Sequence, residues 1–340
     1  MSKSCCCSKN SCCDSAGDVP VVSTSLSFKD LFGAWKARWN INRMNYKVEP
    51  GLYAVEKPDS NSPVLVSANY KMTFDVLRSN LSGLSCWLLI LDTNGINVWC
   101  AAGKGTFGTC ELVNRIEETE LSDVVTHRKL ILPQLSASGV SAHETAERSG
   151  FSVTYGPVRA SDIKEYISSG CKATKEMRTV KFSFWDRLAV TPIEIIAAAK
   201  KSLTIFGVLF LLNLFAARPF GMFDFVAYVG AILMGALFTP VLLPFLPGKA
   251  FSLKGLALGL CWAVLVLCFS GWFTAQYWLL AMGYLLWLPT VTAYLALNFT
   301  GCSTFTSPSG VLKEMKIALP LIICSYIAGA VLIVLKSLIG

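Results

Sequence analysis

Residues 202–340 contain only eight charged side chains, namely Arg218, Asp224, Lys249, Lys254, Lys313, Glu314, Lys316 and Lys336. A stretch so poor in charge cannot keep its backbone in water, and in lipid it must fold as helices that satisfy their own hydrogen bonds. Five apolar segments fall within it, at 203–217, 223–246, 256–273, 277–297 and 317–335. Each approaches the roughly 20 residues that span about 30 Å of hydrocarbon. Lysines stand before the first segment, between the second and third, and between the fourth and fifth, so all three groups fall on one side. By the positive-inside rule that side is the cytoplasm, which leaves the C-terminus outside a cytoplasmic (inner) membrane and makes Arg218 and Lys336 exceptions on the outer face.

Residues 1–201 read differently. They hold 24 of the 30 basic and 20 of the 22 acidic residues, a balance too even to suggest nucleic acid. Nothing near the N-terminus resembles a signal peptide, which predicts a cytoplasmic location and free thiols or ligands for the 13 cysteines. Residues 1–25 form a Ser- and Cys-rich tail with too little apolar content to fold, and disorder is expected there. A helical stripe follows, carrying Leu26, Phe28, Leu31, Phe32, Trp35 and Trp39. From about Tyr53 short apolar runs alternate with amphipathic ones. Strands are predicted at 64–68, 87–91, 129–132 and 151–155, and helices at 111–118, 143–148 and 161–167, the last capped by Ser161. The expected fold is an α/β, Rossmann-like layered domain over 26–180 with a largely parallel sheet. A linker over 181–201 leads to an all-α transmembrane domain of five helices over 202–340.

The stretch that carries chemistry runs Asn97-Val98-Trp99-Cys100-Ala101-Ala102-Gly103-Lys104-Gly105-Thr106-Phe107. Gly103 and Gly105 allow a flat ligand to approach the backbone. Cys100 is expected just before a helix N-terminus, close to Lys104, and both favour a thiolate able to bind a metal. The plainer reading is a small buried cysteine following Trp99 on a strand. A phosphate-binding loop is excluded, because the Walker pattern needs Ser or Thr after the lysine and Gly105 stands there.

These eleven residues resemble the signature of the HgcA family, the mercury-methylating corrinoid proteins, which join a corrinoid-binding domain to five membrane spans in this order. The similarity covers residues 45–340, and the loop at 298–307 also resembles this family. The related corrinoid iron–sulfur protein has a similar cap segment without the cysteine. The resemblance implies a corrinoid (cobalamin-like) cofactor with Cys100 as the lower axial ligand to cobalt. It further implies Asn97, Val98 and Trp99 as positioning residues and Ala101, Ala102, Gly103, Lys104, Gly105, Thr106 and Phe107 as a close-packed cap. The implied reaction is methyl transfer from methyl-Co(III) to inorganic Hg(II), making the chain a methyltransferase. No two cysteines show C-x-x-C spacing, so no intrinsic iron–sulfur cluster is expected. Electrons would come from a ferredoxin-like partner, HgcB, with two [4Fe–4S] clusters, and the methyl group from a donor protein or methyl-folate. His127 and His143 both lack the D-x-H-x-x-G context of the other common corrinoid module.

The cysteines at 5, 6, 7, 12 and 13 could capture mercury or be incidental, and Cys302 could face the corrinoid domain. Cys261, Cys268 and Cys324 read as packing residues within the spans. Two rival functions stand beside the main one: a corrinoid methyl carrier for another acceptor, and a thiol-bearing heavy-metal transporter. The scarcity of ionisable residues in the spans argues against the transporter.

Overall fold

A computed structural model describes residues 19–272, 274–302 and 308–339. The five cysteines of the N-terminal tail and residues 303–307 of the 298–307 loop lie outside the described residues. Two compact units emerge, one made of residues up to 34 together with 44–179, the other of 35–43 and 180 onward.

The first unit is built on six strands: β1 (Val21–Val22), β2 (Gly51–Val55), β3 (Val64–Ala68), β4 (Cys86–Leu91), β5 (Lys129–Leu132) and β6 (Ser152–Tyr155), in the order β1-β2-β4-β3-β5-β6. Neighbours from β4 through β6 run parallel, while β2 lies antiparallel to β4 and β1 parallel to β2. Every residue of β3 is buried, as a strand covered on both faces requires. Side chains then sort by alternation. Val64, Val66, Leu89 and Leu91 join Ala101, Phe107, Leu112 and Ile116 on one face, whereas Leu65, Leu88 and Ile90 join Phe74, Leu77 and Ile163 on the other.

The first face is therefore covered by α3 (Val98–Lys104) and α4 (Thr109–Glu118), the second by α2 (Lys71–Ser79) and α7 (Ile163–Ser168). A single turn α5 (Leu121–Val124) precedes β5, and α6 (Ala142–Ser149) packs beside α4. The predicted α/β domain with parallel strands is thus observed. The chain leaves β3 to pair β4 on one side and then crosses to pair β5 on the other. In sheets with such a reversal of strand order, the carboxyl ends of the strands are the usual place for a ligand.

Helix α1 (Phe28–Arg38) begins in this unit. Its Asp30 accepts from Lys71 Nζ at 2.7 Å and pairs with Arg78 at 2.8 Å, and Asp75 binds the same two cations from within α2. Burial alone would raise the Asp30 pKa, but hydrogen bonds from Lys71 and Ser27 outweigh it and hold the carboxyl well below the usual range.

Two boundaries and one cap differ from the sequence expectations. The disordered tail was expected to reach residue 25, yet Val21 and Val22 pair with Ala54 and Val55, because two residues suffice to satisfy an edge. The segment expected as a linker over 181–201 is helical from Phe184, where Ser183 and Asp186 form a reciprocal capping box. Ser161 does not cap a helix. It lies inside a 3₁₀ turn, Ala160–Asp162, and donates to Asp162.

Among the described residues, the second unit contains five helices long and apolar enough to cross a membrane, Phe184–Leu212, Met222–Val241, Phe251–Ser270, Ala275–Asn298 and Ser309–Ile339. They comprise α8 (Phe184–Leu212), then α9 (Met222–Leu233) continuing through a π turn into α10 (Thr239–Val241), α11 (Phe251–Ser270), α12 (Trp278–Asn298) and α13 (Pro308–Ile339). Small residues let these helices touch. A Cβ on Gly259 would stand 2.5 Å from Pro289 Cα, and Gly283 and Gly329 face each other across α12 and α13.

Cys261, Cys268 and Cys324 are exposed, not packed inside as expected, since glycine, alanine and aromatic rings fill the helix contacts. Arg218 and Asp224 pair at 3.1 Å, and Tyr284 donates to the same carboxylate, so the charges near these helix ends neutralise one another.

Candidate cofactor site

At the carboxyl end of β4 the chain turns through Asn94 and Gly95, both at positive φ, and enters α3. Asn97 is its N-cap. The Asn97 Oδ1 accepts from the Cys100 backbone N–H at 2.9 Å. Gly105 closes the helix in the left-handed conformation, φ 83°, and the Thr106 and Phe107 N–H groups both return to the Ala101 carbonyl. Cys100 accordingly lies inside the first turn of its own short helix, where the sequence had placed it ahead of the 111–118 helix. Asn97 starts a helix earlier than the glycine content suggested.

Helical spacing divides the motif. Val98, Ala101 and Ala102 are buried against the sheet, and Phe107 is fully enclosed. Cys100, Gly103 and Lys104, at i, i+3 and i+4, share the outward face. Cys100 and Trp99 are half-buried, and Gly103, Lys104 and Gly105 are exposed. Trp99 therefore stands on a helix and not on the strand considered in its plainer reading. A Cβ added to Gly103 would meet nothing within 4 Å. Glycine in a helix costs about 1 kcal/mol relative to alanine. Packing within the chain gives no reason for that cost.

The back of α3 is held by the loop after β5. A Cβ on Gly139 would lie 2.3 Å from the Phe107 carbonyl oxygen and 2.9 Å from Ala102 Cα, so this backbone approach requires glycine. Ser141 N–H donates to Thr109 Oγ1 at 2.9 Å, fixing the same loop to α4.

Sequence reasoning missed Asn69, the buried residue directly after β3. Its Oδ1 accepts from the N–H groups of Thr93 (3.1 Å) and Gly95 (3.0 Å) and from the Thr93 hydroxyl (2.9 Å), while its Nδ2 donates to Asp92 at 2.9 Å. One side chain thus shapes the turn that delivers Cys100. An asparagine directly after the fully buried strand β3, at the carboxyl edge where ligands gather in such sheets, was the available signal.

Neither histidine joins this helix. His127 precedes β5, with Nε2 2.9 Å from the Ser62 carbonyl, and His143 is exposed on α6. Burial pushes the Cys86 thiol up to about 12, and Cys110 accepts a hydrogen bond from Arg148 at 3.4 Å. Among the described residues no group of three or more His, Cys, Asp or Glu could hold a metal ion.

Comparison with known proteins adds a second line of support over this segment. Residues 36–167 match the family model of the CO dehydrogenase/acetyl-CoA synthase delta subunit. The span takes in β2 to β6 and the whole Cys100 motif and stops before α8. Subunits named acetyl-CoA decarbonylase/synthase complex subunit gamma are also similar. The protein of Methanopyrus kandleri is 37% identical over 123 residues, 36% of this chain and 26% of its own length. That of Archaeoglobus fulgidus is 34% identical over 156 residues, 44% and 33% of the two chains. That of Methanocaldococcus jannaschii is 34% identical over 122 residues, 35% and 25%. The chain therefore spans about a quarter to a third of the length of these relatives.

Proposed function

We propose that the α/β unit binds a corrinoid and acts as a methyl carrier, with the Cys100 thiolate as lower axial ligand to cobalt, and that the methyl acceptor is inorganic Hg(II). The observation that carries this reading is the outward face of α3, which follows the carboxyl end of β4, where a half-buried thiol stands one turn from a glycine that packing does not require. Similarity to acetyl-CoA decarbonylase/synthase subunits over the same segment supports the corrinoid methyl-carrier part.

A bound corrinoid supplies a cobalt centre that takes up a methyl group and releases it to an acceptor. The protein's part is to ligate and to hold. Cys100 offers a soft, electron-rich donor that favours departure of the methyl group toward a soft acid such as mercury. Asn97 fixes the turn carrying the thiol, Gly103 leaves space beside it, and Lys104 places a cation on the same face. Val98, Ala101, Ala102 and Phe107 anchor the helix by burial, and Thr106 closes it through its N–H. Electrons come from the ferredoxin-like HgcB and its two [4Fe–4S] clusters, and the methyl group from a donor protein or methyl-folate. The helical unit anchors the carrier in the membrane.

The test is the ultraviolet–visible spectrum of the full chain reconstituted with cobalamin, wild type beside Cys100→Ala, followed by methylmercury formation from Hg(II) with HgcB present. We expect a thiolate-type Co(III) spectrum in the wild type alone, and loss of methylation in the variant. Full activity of Cys100→Ala would refute the ligand assignment. A second reading, a carrier serving another acceptor, is favoured by the names of the relatives. It predicts the same spectrum with no methylmercury formed.

A further inference from the structure

We propose that a groove between α11 and α13 binds one anionic phospholipid, with the phosphate held by Lys249 and Lys313 and an acyl chain along the apolar wall. The groove measures about 910 Å³. Its two lysines lie at one end, Lys249 just before α11 and Lys313 near the start of α13. Both are exposed. The Ser252 N–H donates to Glu314 Oε1 at 2.7 Å, which ties the beginnings of the two helices to the same level. That bond engages the one carboxylate of the groove, so two cations face one already occupied anion.

Beyond this charged mouth the lining turns apolar, through Leu253, Leu256, Ile317 and Leu321. Thr290 and Ala293 of α12 form its floor. Along α13 the lining runs from Gly310 to Ser325, about 22 Å at 1.5 Å per residue. Half of a 30 Å hydrocarbon core is about 15 Å, so the groove is long enough for a chain from a single leaflet. A positive mouth above an apolar trench between membrane helices matches the two ends of such a lipid, and each lysine near a headgroup contributes measurably to its capture. The groove carries two lysines against the single carboxylate of Glu314, a net positive mouth that favours a lipid of net negative charge over an uncharged tail or a zwitterionic lipid. The corrinoid reading plays no part in this inference.

The experiment titrates the purified full chain in mild detergent with phosphatidylglycerol and with phosphatidylcholine of the same acyl chains, reading bound lipid by native mass spectrometry. The wild type should prefer phosphatidylglycerol. Lys249→Gln with Lys313→Gln should weaken phosphatidylglycerol binding by about 30-fold and abolish the preference over phosphatidylcholine. Leu321→Trp, at an exposed wall position, should weaken both lipids equally. Equal binding of the two lipids by the wild type, or an unchanged preference in the lysine double variant, overturns the proposal. Glycerol phosphate binding as tightly as the lipid would also overturn it, because it would show a headgroup site without a chain.

Discussion

Asn69 and Cys100 never touch in sequence, yet the first determines how the second is presented. Replacing Asn69 with alanine leaves the Thr93 and Gly95 N–H groups buried without acceptors, at about 1–3 kcal/mol for each unsatisfied group. Asn69→Ala should therefore lower the melting temperature of the α/β unit and reduce corrinoid retention. Circular dichroism melts and a spectrum after gel filtration would check this, and retention equal to wild type would show that the turn holds without it. Cys100 was singled out as the candidate ligand from the motif around it. Its seat inside a helix was not, because Gly103 and Gly105 read as loop. Burial of Ala101 and Ala102, the latter against the Gly139 backbone, adds a contact between distant segments to the Asn97 cap and makes these seven residues helical.

Among the elements, four strands were visible in the sequence: β3, β4, β5 and β6 fall within a residue of the predicted positions. β3 and β4 are buried almost throughout and read as apolar runs, whereas β5 and β6 carry exposed residues and read as short apolar or alternating segments. The antiparallel β2 was not visible, since Gly51–Val55 begins on a glycine and takes its register from β4. Helix α1 depends on charge as well as on apolar packing. Folding lowers the Asp30 pKa, so its stabilisation is complete above the ordinary carboxylate value of about 3.9 and is lost as pH falls through the lower folded value. Protection of the amides over 27–34, measured against their intrinsic exchange rates, should thus be high at pH 5 and fall toward pH 2. In Asp30→Asn the protection should be weaker throughout and nearly independent of pH across that interval.

At the scale of the whole chain, five membrane-length helices were readable from the charge desert, but their starts were not. α8 begins within a charged stretch containing Asp186, Arg187, Glu194, Lys200 and Lys201, and α13 runs through Lys313, Glu314 and Lys316, so hydropathy alone placed both starts too late. The lysines at 249, 254, 313 and 316 predict a cytoplasmic face and an outer C-terminus. A periplasm-active reporter fused after residue 340 should be active, and one inserted next to Lys249 silent; the reverse pattern would invert the orientation.

The helices of this unit do not share its burden equally. In its most apolar window α12 is 72% buried, against 11% for α8 and 17% for the segment from Ser309. Glycines of α9–α10, α11 and α13 press their backbones against it. Over evolutionary time this arrangement divides the membrane sequence into two regimes. Lipid-facing positions of α8 and α13 can drift among apolar residues of any shape, while α12 can change only in concert with the partners that surround it. Ancestry in this half of the molecule would accordingly be recorded along α12 long after the outer helices had lost it.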